Sequence, residues 1–159
     1  MQRFFIIFLR LFIVLYRKIK VSKVEVEPLA SYNLFRTLKE FNQGRQGLGF
    51  ITTYVKRNFE DDYLKTIVSD NSTVLGIDGW TFLNKDKDWV IGSWFGYSNV
   101  SGNKDYIYDI QQSSSRNFQR PDADHVDLDP ELTTLEGFSG KAQINKETGK
   151  WGFNSSIQF

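Results

Sequence analysis

The stretch TVLGIDGWTFLNKDKDWVIGSWFGYSN, residues 73–99, decides the fold class. Residues 73–83 and 89–99 are rich in β-branched and aromatic side chains, and a charged break, Asn84-Lys85-Asp86-Lys87-Asp88, lies between them. Strong strand propensity on both sides of a short polar break predicts an antiparallel hairpin. Trp89 is the first residue after the break. The arrangement returns near the end of the chain, where Asn145-Lys146-Glu147-Thr148-Gly149-Lys150 separates residues 133–144 from 151–159 and leads at once into Trp151. Here the two-residue period is plain. Phe138, Ala142 and Ile144 alternate with Ser139, Lys141, Gln143 and Asn145, and Trp151, Phe153 and Ile157 alternate with Gly152, Asn154 and Ser156. One apolar and one polar face per strand marks a sheet that buries one side.

Working outward, the chain from Val24 reads as about six strands whose long and short connections alternate. Val24 and Val26 alternate with Lys23, Glu25 and Glu27 before Pro28, and Tyr32, Leu34 and Phe35 carry the segment to Thr37. Residues 39–45 read as a turn. In residues 47–57, Leu48, Phe50 and Tyr54 lie opposite Gly47, Gly49 and Thr53. The Asp-rich stretch 59–72 reads as a long loop with one helical turn at 63–67, and 99–132 as a second long loop. Strands of about ten residues, tryptophans beside the short turns and long loops at the other end punctuate a membrane β-barrel. The expected fold class is all-β: an antiparallel meander forming a partial outer-membrane-type barrel over residues 23–159. Half of a soluble β-sandwich, or a small barrel, produces the same alternation and stands as the alternative.

Composition narrows the function classes. Twenty basic and 19 acidic side chains leave a net charge of +1, so no global field favours nucleic acid. Cysteine is absent, which removes disulfides, thiol nucleophiles and cysteine zinc sites. Aromatics reach 16% while mean hydropathy stays negative, a balance that suits interfacial strands. Residues 1–22 stand apart. Their apolar run 4–16 is broken by Arg10 and closed by Arg17, Lys18 and Lys20. As a helix it would cover about 20 Å of a hydrocarbon layer about 30 Å thick. No small-residue cleavage site follows, so the expectation is an uncleaved anchor or a start-site artefact.

The loop sequence Gln112-Ser113-Ser114-Ser115-Arg116-Asn117-Phe118-Gln119-Arg120-Pro121-Asp122-Ala123-Asp124-His125-Val126 resembles a signature of the bacterial domain-of-unknown-function family 5916. Glu27-Pro28-Leu29-Ala30-Ser31-Tyr32-Asn33, Gly47-Leu48-Gly49-Phe50, Gly79-Trp80-Thr81-Phe82-Leu83 and Trp151-Gly152-Phe153 are similar to flanking motifs of that family. The resemblance covers about residues 24–157. It implies an outer-membrane β-barrel of a Gram-negative bacterium, usually following a domain like family-nine carbohydrate-binding modules. Residues 1–20 match nothing in the family, and its members continue past Ile157 with more strands. The chain is therefore expected to be an internal fragment, leaving two unpaired edges where bacterial single-chain barrels begin at eight strands. Phe159 falls in phase with Trp151, Phe153 and Ile157, as a C-terminal aromatic signal of an outer-membrane protein would, but in an internal fragment that phase reads as coincidence.

Candidate chemistry sits in two places. Asp122, Asp124, His125, Asp127 and Asp129 crowd the loop between Pro121 and Pro130. Asp122, Asp124, Asp127 and Asp129 could hold calcium through oxygen ligands, although the glycine and glutamate of an EF-hand are absent. The plainer reading is Asx-turns, or ion pairs with Arg116 and Arg120. One histidine cannot build a usual zinc site. A triad of Ser113, Ser114 or Ser115 with His125 lacks a strained elbow and an oxyanion hole. The pairs Asp61 with Asp62 and Asp86 with Asp88 read as solvated turn charges rather than glycosidase acids. Asp78 is different, because it lies within a strand on the face of Gly76 and Trp80, where a barrel would present it to the lumen. Trp80, Trp94, Phe95 and Tyr97 could form a sugar-stacking platform.

The candidate binding residues are thus Trp80, Trp94, Asp78, Arg116 and Arg120, with no catalytic residue. The sequence points away from an enzyme and from any cofactor other than calcium. The expected partners are a lipid bilayer, the remaining strands of a barrel, and glycans. The expected role is a non-catalytic outer-membrane segment serving transport or as a surface scaffold linked to glycan handling. The alternative is a soluble β-domain binding a carbohydrate or apolar ligand.

Overall fold

A computed structural model describes residues 4–13, 25–114, 118 and 126–159. The fold is an all-β antiparallel meander. Seven strands lie in chain order in one sheet: β1 (Phe4–Ile13), β2 (Leu29–Phe41), β3 (Gln46–Asn58), β4 (Asn71–Phe82), β5 (Trp89–Ser101), β6 (Thr134–Lys146) and β7 (Phe153–Gln158). β2 to β7 are the six strands that the alternation predicts. Phe4–Ile13, set apart in the sequence reading as an anchor or artefact, adds a seventh by pairing with β2 from Phe4↔Lys39 to Ile13↔Ala30. A short apolar run with one charge in it carries no period that separates helix from strand. β1 and β7 do not pair with each other, so the sheet is open rather than closed into a barrel.

Both expected hairpins are present. β4 pairs with β5 from Asn71↔Ser101 to Phe82↔Val90, and β6 with β7 from Lys141↔Gln158 to Lys146↔Phe153. The last ladder reaches Phe159, whose N–H donates to the Gly140 carbonyl at 3.1 Å and whose carbonyl accepts from the Gly140 N–H at 3.0 Å. The first reversal falls later than expected. Lys39, Glu40 and Phe41 stay in the ladder opposite Leu48, Gly47 and Gln46, so the turn is 42–45 rather than 39–45. Lys39 and Glu40 have loop-like chemistry, but the reversal needs positive φ. Asn42, Gln43 and Gly44 supply it at 50°, 60° and 79°.

The antiparallel order gathers the short connections 42–45, 83–88 and 147–152 at one end, and the long ones, 59–70 and 102–133, at the other. Backbone bonds lace each end together. Phe82 N–H donates to the Arg45 carbonyl at 2.8 Å and Glu147 N–H to the Asp88 carbonyl at 2.7 Å at the short-turn end. Asp70 N–H donates to Ser101 at 2.9 Å and Gly102 N–H to Thr133 at 3.0 Å at the long-loop end.

Register also sorts the side chains into two faces, because directly paired residues project the same way. Phe35, Phe50, Ile77, Phe95, Phe138 and Ile157 lie on one, the apolar face. Phe35 and Phe50 meet at 6.3 Å, as do Phe95 and Phe138. Arg36, Gly49, Asp78, Trp94 and Lys141 lie on the other, which mixes charge with glycine. The buried apolar core does not spread over either face.

That core sits at the long-loop end, where α1 (Asp62–Ile67) meets α2 (Lys104–Gln112). Leu64, Ile107 and Leu135 are the buried apolar residues there, among those described. The helical turn expected at 63–67 is α1. Its N-cap is Asp61, which accepts from Tyr63 N–H at 2.9 Å, and the Glu25 carboxylate accepts from Glu60 and Asp61 N–H at 2.7 Å each. α2 falls inside the stretch read as loop. Asn103 caps it by accepting from Asp105 N–H at 2.8 Å, and Ile107 and Gln111, four residues apart, form its buried stripe. The Gln111 amide donates to the Asp129 carbonyl and accepts from the Asp129 N–H, both at 2.9 Å.

Asp88 ties two of the short turns together. Its carboxylate accepts from the Thr148 hydroxyl and, at 2.9 Å, from the Asn84 amide. The Thr148 bond, then the Asn84 bond, and also the Lys146 charge hold Asp88 below the ordinary carboxylate range. A carboxylate depressed by folding contributes stability above its unfolded value and loses it as pH falls through its folded value. Thr148→Val should therefore move the acid loss of this contact to higher pH. An NMR titration of the Asp88 carboxyl checks it, and an unmoved midpoint would remove the hydroxyl from the account.

Candidate functional site

Two cross-strand rows on the mixed face build the site. One runs Gly49, Asp78, Trp94, Lys141 and Gln158 across β3 to β7, and the next runs Gly47, Trp80, Gly92, Gln143 and Ser156. Gly92 has no side chain, so a shallow depression opens between Trp80 and Gln143, with Asp78, Trp94 and Lys141 along its other side. The glycines decide what the large residues can do. The Trp80 ring lies across Gly47, where an added Cβ would fall 2.2 Å from it, and its indole N–H donates to the Gly44 carbonyl at 3.3 Å. Trp80 is thus held by packing on one side and by a turn at its tip.

Arg36 reaches Asp78 from two strands away. Its guanidinium crosses β3 above Gly49 and makes a two-pronged pair with the carboxylate, Nη1 to Oδ1 and Nη2 to Oδ2, the second at 2.9 Å. A Cβ at Gly49 would stand 2.7 Å from both the Arg36 Nη2 and the Asp78 Oδ1. The pair therefore exists because position 49 is empty. It also neutralises Arg36 and Asp78 against each other, so the charge left in the depression is that of Lys141. Among the described residues Lys141 has no acidic partner. Trp94, directly opposite Lys141, keeps 40% of its surface exposed. Gln143 lies over Gly92, 3.4 Å from where a Cβ would be.

Asp78, Trp80 and Trp94, singled out from the sequence, line this one depression. The four-aromatic platform does not form. Phe95 pairs with Ile77 and Tyr97 with Leu75, which places both on the apolar face, because neighbours along a strand point to opposite sides. Arg116, Arg120, Asp122, Asp124 and His125 lie outside the described residues. Asp127 and Asp129 lie in the approach to β6 at the long-loop end. The Asp129 carboxylate accepts from Glu131 N–H at 2.9 Å, an Asx-turn. Among the described residues no three acidic or histidine side chains converge as a metal site.

Arg36, Gly49, Gly92, Lys141 and Gln143 escaped the sequence reading of the site. The alternation around Lys141 and Gln143 shows that they share a polar face, but only the β5–β6 register brings them to Trp94 and Gly92. An indole face, an ammonium, a primary amide and a carboxylate converge there.

No protein-family model, curated protein or solved structure matches this chain. Function has to be read from its own residues. Among those described, no helix is long and apolar enough to cross a membrane, which leaves crossing by strands open.

Proposed function

We propose that this chain is a segment of an outer-membrane β-barrel of a Gram-negative bacterium, akin to the family it resembles. Its role in this reading is non-catalytic: transport, or a surface scaffold linked to glycan handling. The observation that supports it is an apolar sheet face left uncovered, with an aromatic rim at its short-turn end. Phe50, Ile77, Phe95 and Phe138 are 40%, 47%, 43% and 70% exposed, a contiguous patch of a kind that water-soluble monomers rarely carry. Along β5 the face runs from Trp89 to Tyr97, which is about 27 Å at about 3.4 Å per residue. Tilted by about 40°, that spans about 21 Å, close to the roughly 25 Å apolar band of such barrels.

The short-turn rim has the chemistry of a headgroup interface. Trp89 meets Trp151 edge-on at 6.1 Å and Phe153 at 5.8 Å, while the Lys146 ammonium stands 4.1 Å from the Trp151 ring centre and Lys39 stands 5.2 Å from that of Phe41. Aromatic bodies in the lipid and cations reaching for phosphate suit that boundary. The mixed face then lines the lumen. Hydrocarbon tolerates no open strand edge, so β1 and β7 need further strands as partners besides the bilayer. The short turns would face the periplasm and the long loops the outside.

The absence of cysteine makes the test direct. Fluorophores on Ile77→Cys and Phe95→Cys should be quenched by brominated lipid in reconstituted vesicles, and a fluorophore on Ser98→Cys, from the mixed face, should be spared. Equal quenching on both faces, or a cooperative monomer soluble without detergent, would replace the barrel by a soluble β-domain binding a carbohydrate or apolar ligand.

A further inference from the structure

The depression on the mixed face has a charge and shape that select a ligand class, and we infer that it binds an acidic sugar, a pyranose ring bearing a carboxylate. This rests on the glycan-linked reading above and names the ligand. Trp94 offers an exposed indole face opposite Lys141, and an indole suits the flat C–H side of a pyranose. Lys141 carries the uncompensated charge of the depression's lining, since the Asp78 carboxylate there is spent on Arg36. Beside a neutral sugar that ammonium keeps only its water, whereas a carboxylate makes a charge-assisted hydrogen bond with it. The Gln143 amide beside Gly92 can both donate to and accept from hydroxyls. Asp78 keeps lone pairs beyond the two that Arg36 occupies, and these accept a further hydroxyl. Phosphate fits less well, because a single ammonium without an arginine fork or a backbone N–H nest meets few of its oxygens.

The test titrates the full chain, in micelles, with tetragalacturonate and with neutral maltotetraose, reading tryptophan fluorescence. The acidic tetramer should bind at least tenfold more tightly, and weaken as salt rises. Lys141→Gln should remove about tenfold of that affinity and erase the preference for acid. Trp94→Phe should keep the preference and lose much of the fluorescence change, and Lys85→Gln, in a turn, should change nothing. Equal affinity for both sugars, acid binding indifferent to Lys141→Gln, or no binding by protein whose circular dichroism shows an intact sheet would each overturn the inference. Lipid quenching on the same sample keeps the two readings separate. Insertion without acid binding sinks the ligand, and acid binding without insertion sinks the barrel.

Discussion

Replacing Gln111 by leucine should lower stability by roughly 1–3 kcal/mol, although the two side chains are close in size. Gln111 is fully buried, and its amide satisfies both the N–H and the carbonyl of Asp129. Leucine fills the space but gives up both hydrogen bonds to the exposed Asp129, each a net loss of about 0.5–1.5 kcal/mol because water can reach the Asp129 backbone in their place. Gln111→Glu should cost more than leucine at neutral pH, because it buries an unpaired carboxylate against the Asp129 carbonyl, and should recover as pH falls and the carboxyl gains a proton to donate. Urea midpoints in micelles measure both, and faster amide exchange at Asp129 should accompany the loss. An unchanged midpoint in Gln111→Leu would mean that the contact between α2 and the approach to β6 adds nothing to stability.

Gly49→Val should cost about 2 kcal/mol in the parent and almost nothing in a chain that carries Arg36→Ala and Asp78→Ala together. Valine suits a strand interior better than glycine does, so its local effect is favourable. The cost arises because a Cβ at position 49 meets the Arg36 guanidinium and the Asp78 carboxylate at 2.7 Å and separates them. Both side chains are about a third exposed, so what the parting costs is their two charge-assisted hydrogen bonds. The same urea series gives the coupling. Equal costs in both backgrounds would place the strain in the backbone and remove the ion pair from the explanation.

The sheet was largely legible because a two-residue period is a local signal. Phe138, Ala142 and Ile144 announce their face without any knowledge of the neighbouring strand. The site was half legible for the same reason. Asp78 and Trp80 share a strand and a parity, so their common face follows from the sequence, whereas Phe95 and Tyr97 were grouped with Trp94 by chemistry against parity. Arg36 was out of reach, since its pairing depends on an empty position two strands from its partner. α2 was missed where composition outweighed pattern. Asn103, Asp105 and the Ile107–Gln111 spacing were helix signals inside a stretch that looked like loop. β1 differs, because an apolar run interrupted only by Arg10 has no period to read.

Every strand of the sheet pairs with its neighbour in sequence, and this bears on the order in which the chain can assemble. A meander needs no crossover, so each strand can be laid against the one before it, and the entropy of closing each connection is met separately. Closing 102–133 should cost about 2 kcal/mol more than closing the turn 42–45 if both behave as free loops. α2 shortens that connection once Ile107 and Gln111 dock. The slow step is then the arrival of β6 after β5. The helix that holds the long loop sets the pace at which the second half of the sheet, and with it Lys141, joins the first.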